Sequence, residues 1–351
     1  MGAVNYATAF SPKVAETFAK ESLTDSAAGK EFNFTGAKTV RVYTVDTVPL
    51  NNYSRTGVNR YGTPTELGDT VQELVVGDDK AFTMTIDKGN QADQMNVKGA
   101  AQALRRETEQ VVIPYIDKYR FRAWSQGAGI VKGLTDAPAS GTIVSLIFDA
   151  GAEMDNRLVP TAGRTLFIPN TYYKLLALSD QFVGVDKLGE LALSKGIVGE
   201  VDGMLVKRVP DSYFPSDLYF MVKWKGASAD PVKLQDAKIH QDPPGLSGNL
   251  LEGRVYHDAF VLGAKADGIY AAVKSTALAA TPTITITSGS ATLASTTDGA
   301  VISYTTDGTD PRYSNSAKVY TAALSVTAGT KIRCCARTTA GYASEVTEKT
   351  A

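Results

Sequence analysis

The chain opens on a polar stretch rich in small residues and only later settles into regular alternation. Residues 1–38 predict little beyond a short helix over about 11–22, with Ser11 as N-cap and Pro12 at the first helical position. The rest of this lead is an extended arm. Thr39-Val40-Arg41-Val42-Tyr43-Thr44-Val45 alternates apolar and polar side chains, the period of a strand with one covered face. Residues 71–76 and 81–86 predict a second pair of strands, joined by the turn Gly77-Asp78-Asp79-Lys80. From about 49 to 69 the chain is polar and rich in Asn, Gly and Thr, a loop of about 20 residues that includes Arg55 and Arg60. A compact domain rarely carries so long a loop without a use for it. Residues 39–88 therefore read as a long β-excursion, too poor in apolar side chains to fold alone. It is either a decorated hairpin or an arm that rests on a neighbouring subunit.

Residues 93–124 carry the clearest helical period. Val97, Ala101, Leu104, Thr108, Val111 and Tyr115 recur at spacings of four and three, with Lys98, Arg105, Arg106, Glu109 and Lys118 on the opposite face. Such a helix would be roughly 45 Å long, and Pro114, lacking an N–H, should kink it. A second helix is predicted over 142–158, burying Ile143, Ile147, Met154 and Leu158. Next come a strand at 165–168 closed by Pro169, a helix at 172–178 capped by Asn170, and strands at 204–209, 218–222 and 254–262. A turn at Asp242-Pro243-Pro244-Gly245 separates the last two. Helices interspersed with antiparallel strands make an α+β body ending near Ala272. Residues 274–282 shift to Ser, Thr and Ala, the composition of a linker. Beyond it, strands at 283–287, 301–305, 318–320 and 331–337 recur between Gly/Asp/Pro turns, the spacing of a small β-sandwich.

Composition narrows the partners. Among 351 residues, 36 Lys and Arg almost balance 37 Asp and Glu, leaving a net charge of −1. Proteins that grip nucleic acid usually carry a basic excess, because phosphate neutralisation supplies most of the affinity. Weak, non-specific contact with packed double-stranded DNA is compatible with this balance. The first residues have no basic segment followed by an apolar run, Tyr6 stands where a myristoylation motif needs Ser or Thr, and no apolar run approaches the ~18 residues of a membrane span. A soluble protein made in a reducing cytoplasm, with no membrane partner, is expected. The two cysteines, Cys334 and Cys335, are adjacent on a strand and so face opposite ways. One should be buried and one exposed, with no disulfide.

Candidate chemistry is sparse. No phosphate-binding loop, dinucleotide glycine fingerprint or nucleophile elbow occurs, so neither enzymatic activity nor a cofactor or metal is predicted. His240 and His257 are far apart in sequence; His257 is followed by Asp258, but neighbours on a strand face opposite ways, which argues against an acid–base pair. Asp307-Gly308-Thr309-Asp310 has the outline of a calcium loop without its further ligands, so a turn with capping carboxylates is favoured. Exposed Arg55 and Arg60 suit salt bridges to an acidic patch on a neighbour. Lys80, Lys88, Arg105 and Arg106 complete the candidates for inter-subunit contact.

Two stretches resemble a known family. Ile86-Asp87-Lys88-Gly89-Asn90-Gln91-Ala92-Asp93, with the later Glu109-Gln110-Val111-Val112-Ile113-Pro114-Tyr115-Ile116-Asp117-Lys118-Tyr119-Arg120, is similar to the junction of extended loop and spine helix in major capsid proteins of tailed bacteriophages. Arg254-Val255-Tyr256-His257-Asp258-Ala259-Phe260-Val261-Leu262, then Gly268-Ile269-Tyr270, resembles the last strand of the same family's body. The resemblance covers about residues 1–273 and rests on the order of elements more than on any one string. It implies the Hong-Kong-phage-type (Johnson) capsid fold, with 1–38 an N-terminal arm, 39–92 the extended β-loop, 93–129 the spine, 130–240 the axial domain and 241–273 the return to the peripheral domain. It further implies hexamers and pentamers of this chain in an icosahedral shell, with scaffold and portal proteins as partners and the virion as location. Many members carry an N-terminal scaffolding segment that is not seen here, which implies either a separate scaffold or a cleaved form, and Met1 favours the separate scaffold. Some weld a Lys to an Asn across subunits, for which Lys80 or Lys88 and Asn249 are the candidates.

Ile302-Ser303-Tyr304-Thr305-Thr306-Asp307-Gly308-Thr309-Asp310-Pro311, with Tyr320 and Ala340-Gly341-Tyr342-Ala343-Ser344, resembles the immunoglobulin-like module of the chitobiase/hexosaminidase C-terminal type. This places a surface domain at 283–351 behind the linker 274–282, structural in role, with Tyr313 and Tyr342 the candidates for contact with a glycan. Two other functions stay open at this point. A tail-tube virion protein also ends in such modules but should be mainly β. A carbohydrate-binding surface protein would rest on the C-terminal module alone.

Overall fold

The computed structural model describes residues 21–32, 38–45, 47–48, 50–64, 66–93, 99–178, 183–184 and 197–351. The helix expected over 11–22 falls almost wholly outside them, as do Val97 and Lys98. In chain order come β1 (Thr39–Val45), β2 (Asp69–Val75), β3 (Asp78–Asp87), α1 (Lys88–Asp93), α2 (Ala100–Glu107), α3 (Ile113–Gln126), β4 (Ile130–Leu134), α4 (Ile143–Asn156), β5 (Arg164–Pro169), α5 (Asn170–Ala177), β6 (Val183–Gly184), β7 (Ile197–Val201), β8 (Met204–Val209), β9 (Leu218–Trp224), β10 (Ser228–Ala229), β11 (Val232–Gln241), β12 (Gly248–His257), β13 (Phe260–Val261) and β14 (Ile269–Lys274). The C-terminal module adds β15 (Thr283–Thr287), β16 (Ser290–Ala294), β17 (Val301–Thr305), β18 (Lys318–Val319), β19 (Leu324–Ser325), β20 (Lys331–Arg337) and β21 (Thr347–Thr350). The fold is α+β, and the chain divides into two compact units.

The first unit comprises Met1–Ser22, Gly77–Tyr119 and Val232–Asp258. Its sheet runs β11-β12-β3, antiparallel throughout, with Asp78 opposite His257 and Asp87 opposite Gly248. Val112 and Ile116 pack against Val255, with Phe82 beside them. The far edge of the Phe82 ring presses on Gly253, where a Cβ would meet Cζ at 2.2 Å, so any larger residue would have to displace the ring.

Two expectations change here. The strands at 71–76 and 81–86 are not a hairpin, because β2 pairs with β1 and β3 pairs with β12. Asp78, Asp79 and Lys80 belong to β3, and not to a turn. A polar tetrapeptide between two alternating stretches looks the same whether the chain turns back or passes on to another sheet.

The long helix begins at Ala100, after the extended Gly99, and not at Asp93, where the separate α1 ends; it runs as α2, a π-helical turn (Thr108–Val112) and α3. Pro114 has no N–H for the carbonyl of Gln110, and its ring would press on that oxygen; the wide turn directly before it accommodates both effects. The extra residue rotates the apolar stripe by one position. Val111 is 52% exposed while Val112 and Ile116 are buried, the reverse of the expected phase.

The second unit comprises Leu23–Val76, Arg120–Pro231 and Ala259–Ala351. Its central sheet runs β4-β14-β9-β5-β8-β7-β6, mixing parallel and antiparallel pairs. β5 is buried over its whole length, as a strand covered on both faces must be. Leu166, Ile168, Tyr270 and Ala272 face a layer built on Ile143, Ile147 and Met154 of α4 and Leu176 of α5. Phe167, Ile269, Ala271 and Val273 face Phe121 and Trp124 of α3 together with Leu23, Ala27 and Ala28.

Several boundaries moved. Leu158, expected on the buried side of α4, is 90% exposed with φ +59°. It stands past the helix end, where Val159 N donates to Met154 O (3.1 Å) and Leu158 N to Asp155 O (2.9 Å), the αL termination usually given to glycine. Asn170 does not cap α5 but is its first residue; the Asp211 carboxylate accepts instead from Thr171 N (3.1 Å) and Oγ1 (3.0 Å). The expected strand 254–262 is two pieces, β12 and β13, broken at Asp258–Ala259.

In the C-terminal module, the three-stranded sheet β15-β16-β19 and the four-stranded sheet β18-β17-β20-β21 enclose Ile284, Leu293, Ile302, Ile332 and Cys334. Cys334 and Cys335 are both buried, correcting the expectation of one exposed thiol. The outer face of β20 is covered too. Tyr342 enters the body core beside Trp124, Arg337 Nη1 donates to Gln126 O (3.2 Å), and Gln126 Nε2 donates to Ala340 O (2.8 Å). Burial pushes the Cys334 thiol up to about 12, so neither cysteine is poised for redox chemistry. Ala277 and Ala279, within 274–282, are themselves buried, and Thr338 Oγ1 donates to Ala277 O (2.6 Å).

Candidate assembly surfaces

The β1–β2 ribbon pairs in full register from Thr39↔Val75 to Val45↔Asp69. Leu74 is buried, but Tyr43, Val45, Val71 and Val75 are exposed on the ribbon, and Val48, Leu50, Tyr53, Val58, Tyr61 and Leu67 on its tip. The tip is braced within itself. Ser54 N donates to Arg60 O (2.9 Å), Arg60 Nε to Gly57 O (3.2 Å), and the Tyr53 and Tyr61 rings meet edge to face at 5.1 Å. Gly57 and Gly62 supply the positive φ that these turns need. An ordered loop that presents so many apolar side chains to solvent is a surface built to be covered. Arg55 and Arg60 stand exposed on the same tip, which the residue pattern reads as polar with little apolar content.

The other basic candidates lie in the first unit. Lys80, on β3, is 3.5 Å from Asp78; Lys88, heading α1, is ion-paired with Asp242; Arg105, on α2, is paired with Glu109 (2.6 Å). Arg106 is on the same helix, and Asn249 lies on β12 opposite Ile86. The glycan candidates are used internally. Tyr342 is 1% exposed, and the Tyr313 hydroxyl donates to Gly127 O (2.9 Å) while its ring closes on Gly263. Neither offers a face on which a sugar could stack, because the module's contact with the body consumes them.

His257 and Asp258 were expected to point apart. Instead β12 ends at His257, alternation stops there, and both side chains reach one buried cluster in the first unit. His257 Nε2 lies 3.1 Å from Asp78 Oδ2, and its ring meets Tyr115 and Tyr119 edge-on at 5.8 and 5.1 Å. Tyr119 donates to Asp258 Oδ1 (2.7 Å), Gly77 N to Asp258 Oδ2 (2.9 Å), and Tyr115 to Asp78 Oδ2 (2.9 Å). Burial, then the hydrogen bond to Asp78, pushes the Tyr115 hydroxyl up to about 12. His257 is fully buried and Asp258 nearly so, so the cluster holds the fold and presents no cleft.

Asp307 accepts from Thr309 N (2.9 Å), Thr309 Oγ1 (2.6 Å) and Ser316 Oγ (2.6 Å). Burial raises its pKa, but these hydrogen bonds outweigh it and hold the carboxyl below its ordinary range. The carboxylate caps the turn, as expected, and no group of metal-ligating side chains occurs among the described residues.

One constellation was missed. Arg120, Lys207 and Lys223 are buried cations on three elements of the second unit, and all end on the segment 23–27. Arg120 Nη1 donates to Thr24 Oγ1 (2.9 Å), Lys207 Nζ to Leu23 O (3.0 Å) and Ser26 Oγ (2.6 Å), and Lys223 Nζ to Ala27 O (2.6 Å). Asp230 closes the set, accepting from Gly29 N (2.8 Å) and Trp124 Nε1 (2.7 Å). A lysine within an apolar strand (Val206-Lys207 in β8, Val222-Lys223 in β9) was the signal available in the sequence; its partner, far away in the chain, was not.

Residues 278–348 match the family described as chitobiase/beta-hexosaminidase C-terminal domain. No curated protein matches the chain. Among solved structures, that of Mycobacterium phage Che8 is similar with a TM-score of 0.60 at 16% identity, covering 76% of this chain and 96% of its own. The capsid structure of the Cyanophage P-SCSP1u gives 0.61 at 16%, covering 77% and 93%. The asymmetric unit of the mature capsid of bacteriophage PhiM1 gives 0.59 at 13%, covering 77% and 92%. The fold is that of these phage capsids, the Johnson fold, followed by an all-β C-terminal module.

Proposed function

We propose that this chain is a major capsid protein, which assembles with copies of itself into the icosahedral shell around a phage genome. The observation that carries the reading is the exposed apolar ribbon and tip of residues 39–75 on a capsid-type fold. Among the described residues nothing covers that patch, and it gains a cover when laid on a neighbour. Residues 39–92 are then the extended loop, 93–129 the spine, 130–240 the axial domain, 241–273 the return, and 283–351 a surface module behind 274–282. Arg55 and Arg60 serve as rim charges around the apolar tip. Scaffold and portal proteins, weak contact with packaged DNA, and a place in the virion after synthesis in a bacterial cytoplasm follow from the same reading. The chain is structural, not enzymatic.

Leu50→Asp with Val58→Asp tests this. Both positions are exposed in the single chain, so the melting temperature should stay within about 2 °C of wild type. Electron microscopy should show closed shells for wild type and none for the variant. Tubes, or monodisperse monomers of wild type at every ionic strength, would refute the proposal.

A further inference from the structure

We infer that the outer edge of β11 joins a second copy of this chain strand to strand, across a two-fold axis through Ala237. β11 lies at the end of the sheet β11-β12-β3, and among the described residues no strand pairs with its outer edge. It is ten residues long, regular from Leu234 onward, and exposed from Asp236 to Gln241. An edge of that length is a template for another strand unless something blocks it, and it holds neither proline nor glycine.

The charges specify the partner. Within the chain, Asp236 stands opposite Arg254 of β12, and Lys238 stands opposite Glu252. Antiparallel pairing of β11 with its own copy about Ala237 sets Asp236 opposite Lys238 of the other copy, and Lys238 opposite its Asp236. Each row across the joined sheet then reads Arg254, Asp236, Lys238, Glu252, alternating in sign through the junction. Directly opposed unlike charges stabilise a strand pair and like charges oppose it. At the other edge, pairing β3 with its own copy over its full length would set Asp78 against Asp87. The inference rests on the shell reading, because it names one surface by which the copies meet.

A cysteine at the axis reports the contact. Opposed residues of an antiparallel pair have Cα atoms about 4.5 or 5.5 Å apart, and both distances suit a disulfide, which spans roughly 4.4–6.8 Å. Both native cysteines are buried, so the background is silent. Full-length Ala237→Cys, assembled and mildly oxidised, should run as a linked dimer on a non-reducing gel. Adding Lys238→Asp should cut the dimer yield by about tenfold, and Asp236→Lys with Lys238→Asp should restore it, since the contact between copies regains unlike pairs, as does the Asp236–Lys238 ion pair along β11 itself, whereas the pairs with Arg254 and Glu252 of β12 do not. Hydrogen exchange of wild type gives a second readout: within 234–240, the alternate amides that point away from β12 should be protected in assembled protein and exchange freely in dissociated chain. A cysteine variant that stays unlinked within closed shells, or a yield indifferent to Lys238→Asp, overturns the edge contact and leaves the shell intact. Linked dimers without shells would sustain the edge contact and overturn the shell.

Discussion

Two residues show how local chemistry departs from local pattern. Leu158 occupies a left-handed position that costs a branched or bulky side chain about 1 kcal/mol or more, and its side chain is in solvent. Leu158→Gly should therefore raise stability by about 1 kcal/mol in chemical denaturation; a loss would show that Leu158 packs on something in the single chain. Lys223 is fully buried, 4.4 Å from the face of Trp124. Burial lowers its pKa to about 8, with Asp230 opposing that shift. The folded chain thus binds its proton more weakly than the unfolded chain does. Stability is reduced below pH 8 and recovers as pH rises from about 8 toward the ordinary 10.5. A depression of that size corresponds to on the order of 3 kcal/mol. Denaturation midpoints should rise between pH 7 and 9.5 in wild type, and Lys223→Met should flatten that rise.

At the scale of elements, periodicity located most helices and strands, and three kinds of error remained. Phase was lost at Pro114, because a π turn inserts a residue that the 3.6 period does not allow for, exchanging Val111 for Val112 at the core. Pairing was misassigned at 77–80, because the pattern tells which residues form strands but not which strands meet. Strands β4, β7, β11, β16 and β21 went unread, as did the two-residue β6, β10 and β19, and β14 was touched only by the resemblance at Gly268-Ile269-Tyr270; β11 has both faces exposed over most of its length, so it has no alternation to find. Capping shows the same split. The start of α5 was legible at Pro169-Asn170, but the group that satisfies it, Asp211, comes from 40 residues further on. Asp211→Ala should cost about 1 kcal/mol, measurable as a lower melting temperature of the whole chain.

At the scale of the molecule, the C-terminal module is less independent than a tethered ornament. Tyr342 lies in the cluster that holds Phe121 and Trp124. Arg312 Nη1 donates to Gly129 O (2.9 Å), and Arg312 is paired with Asp310 (2.9 Å). Body and module within the second unit should therefore melt together. Tyr342→Ala should cost roughly 3–5 kcal/mol and lower their common transition in calorimetry. Two separable transitions in wild type would show instead that the module is only tethered.

The sequence by itself determined the α+β class, the change to a β-sandwich near residue 280, the long loop between β1 and β2 and the lack of any catalytic motif. These follow from period, composition and turn residues, which are local quantities. Tertiary structure alone decided which strands pair, that both cysteines and Tyr342 are buried with Tyr313 partly so, and that three cations converge on residues 23–27. Burial is a property of what arrives from elsewhere in the chain, and a window of neighbouring residues holds no record of it.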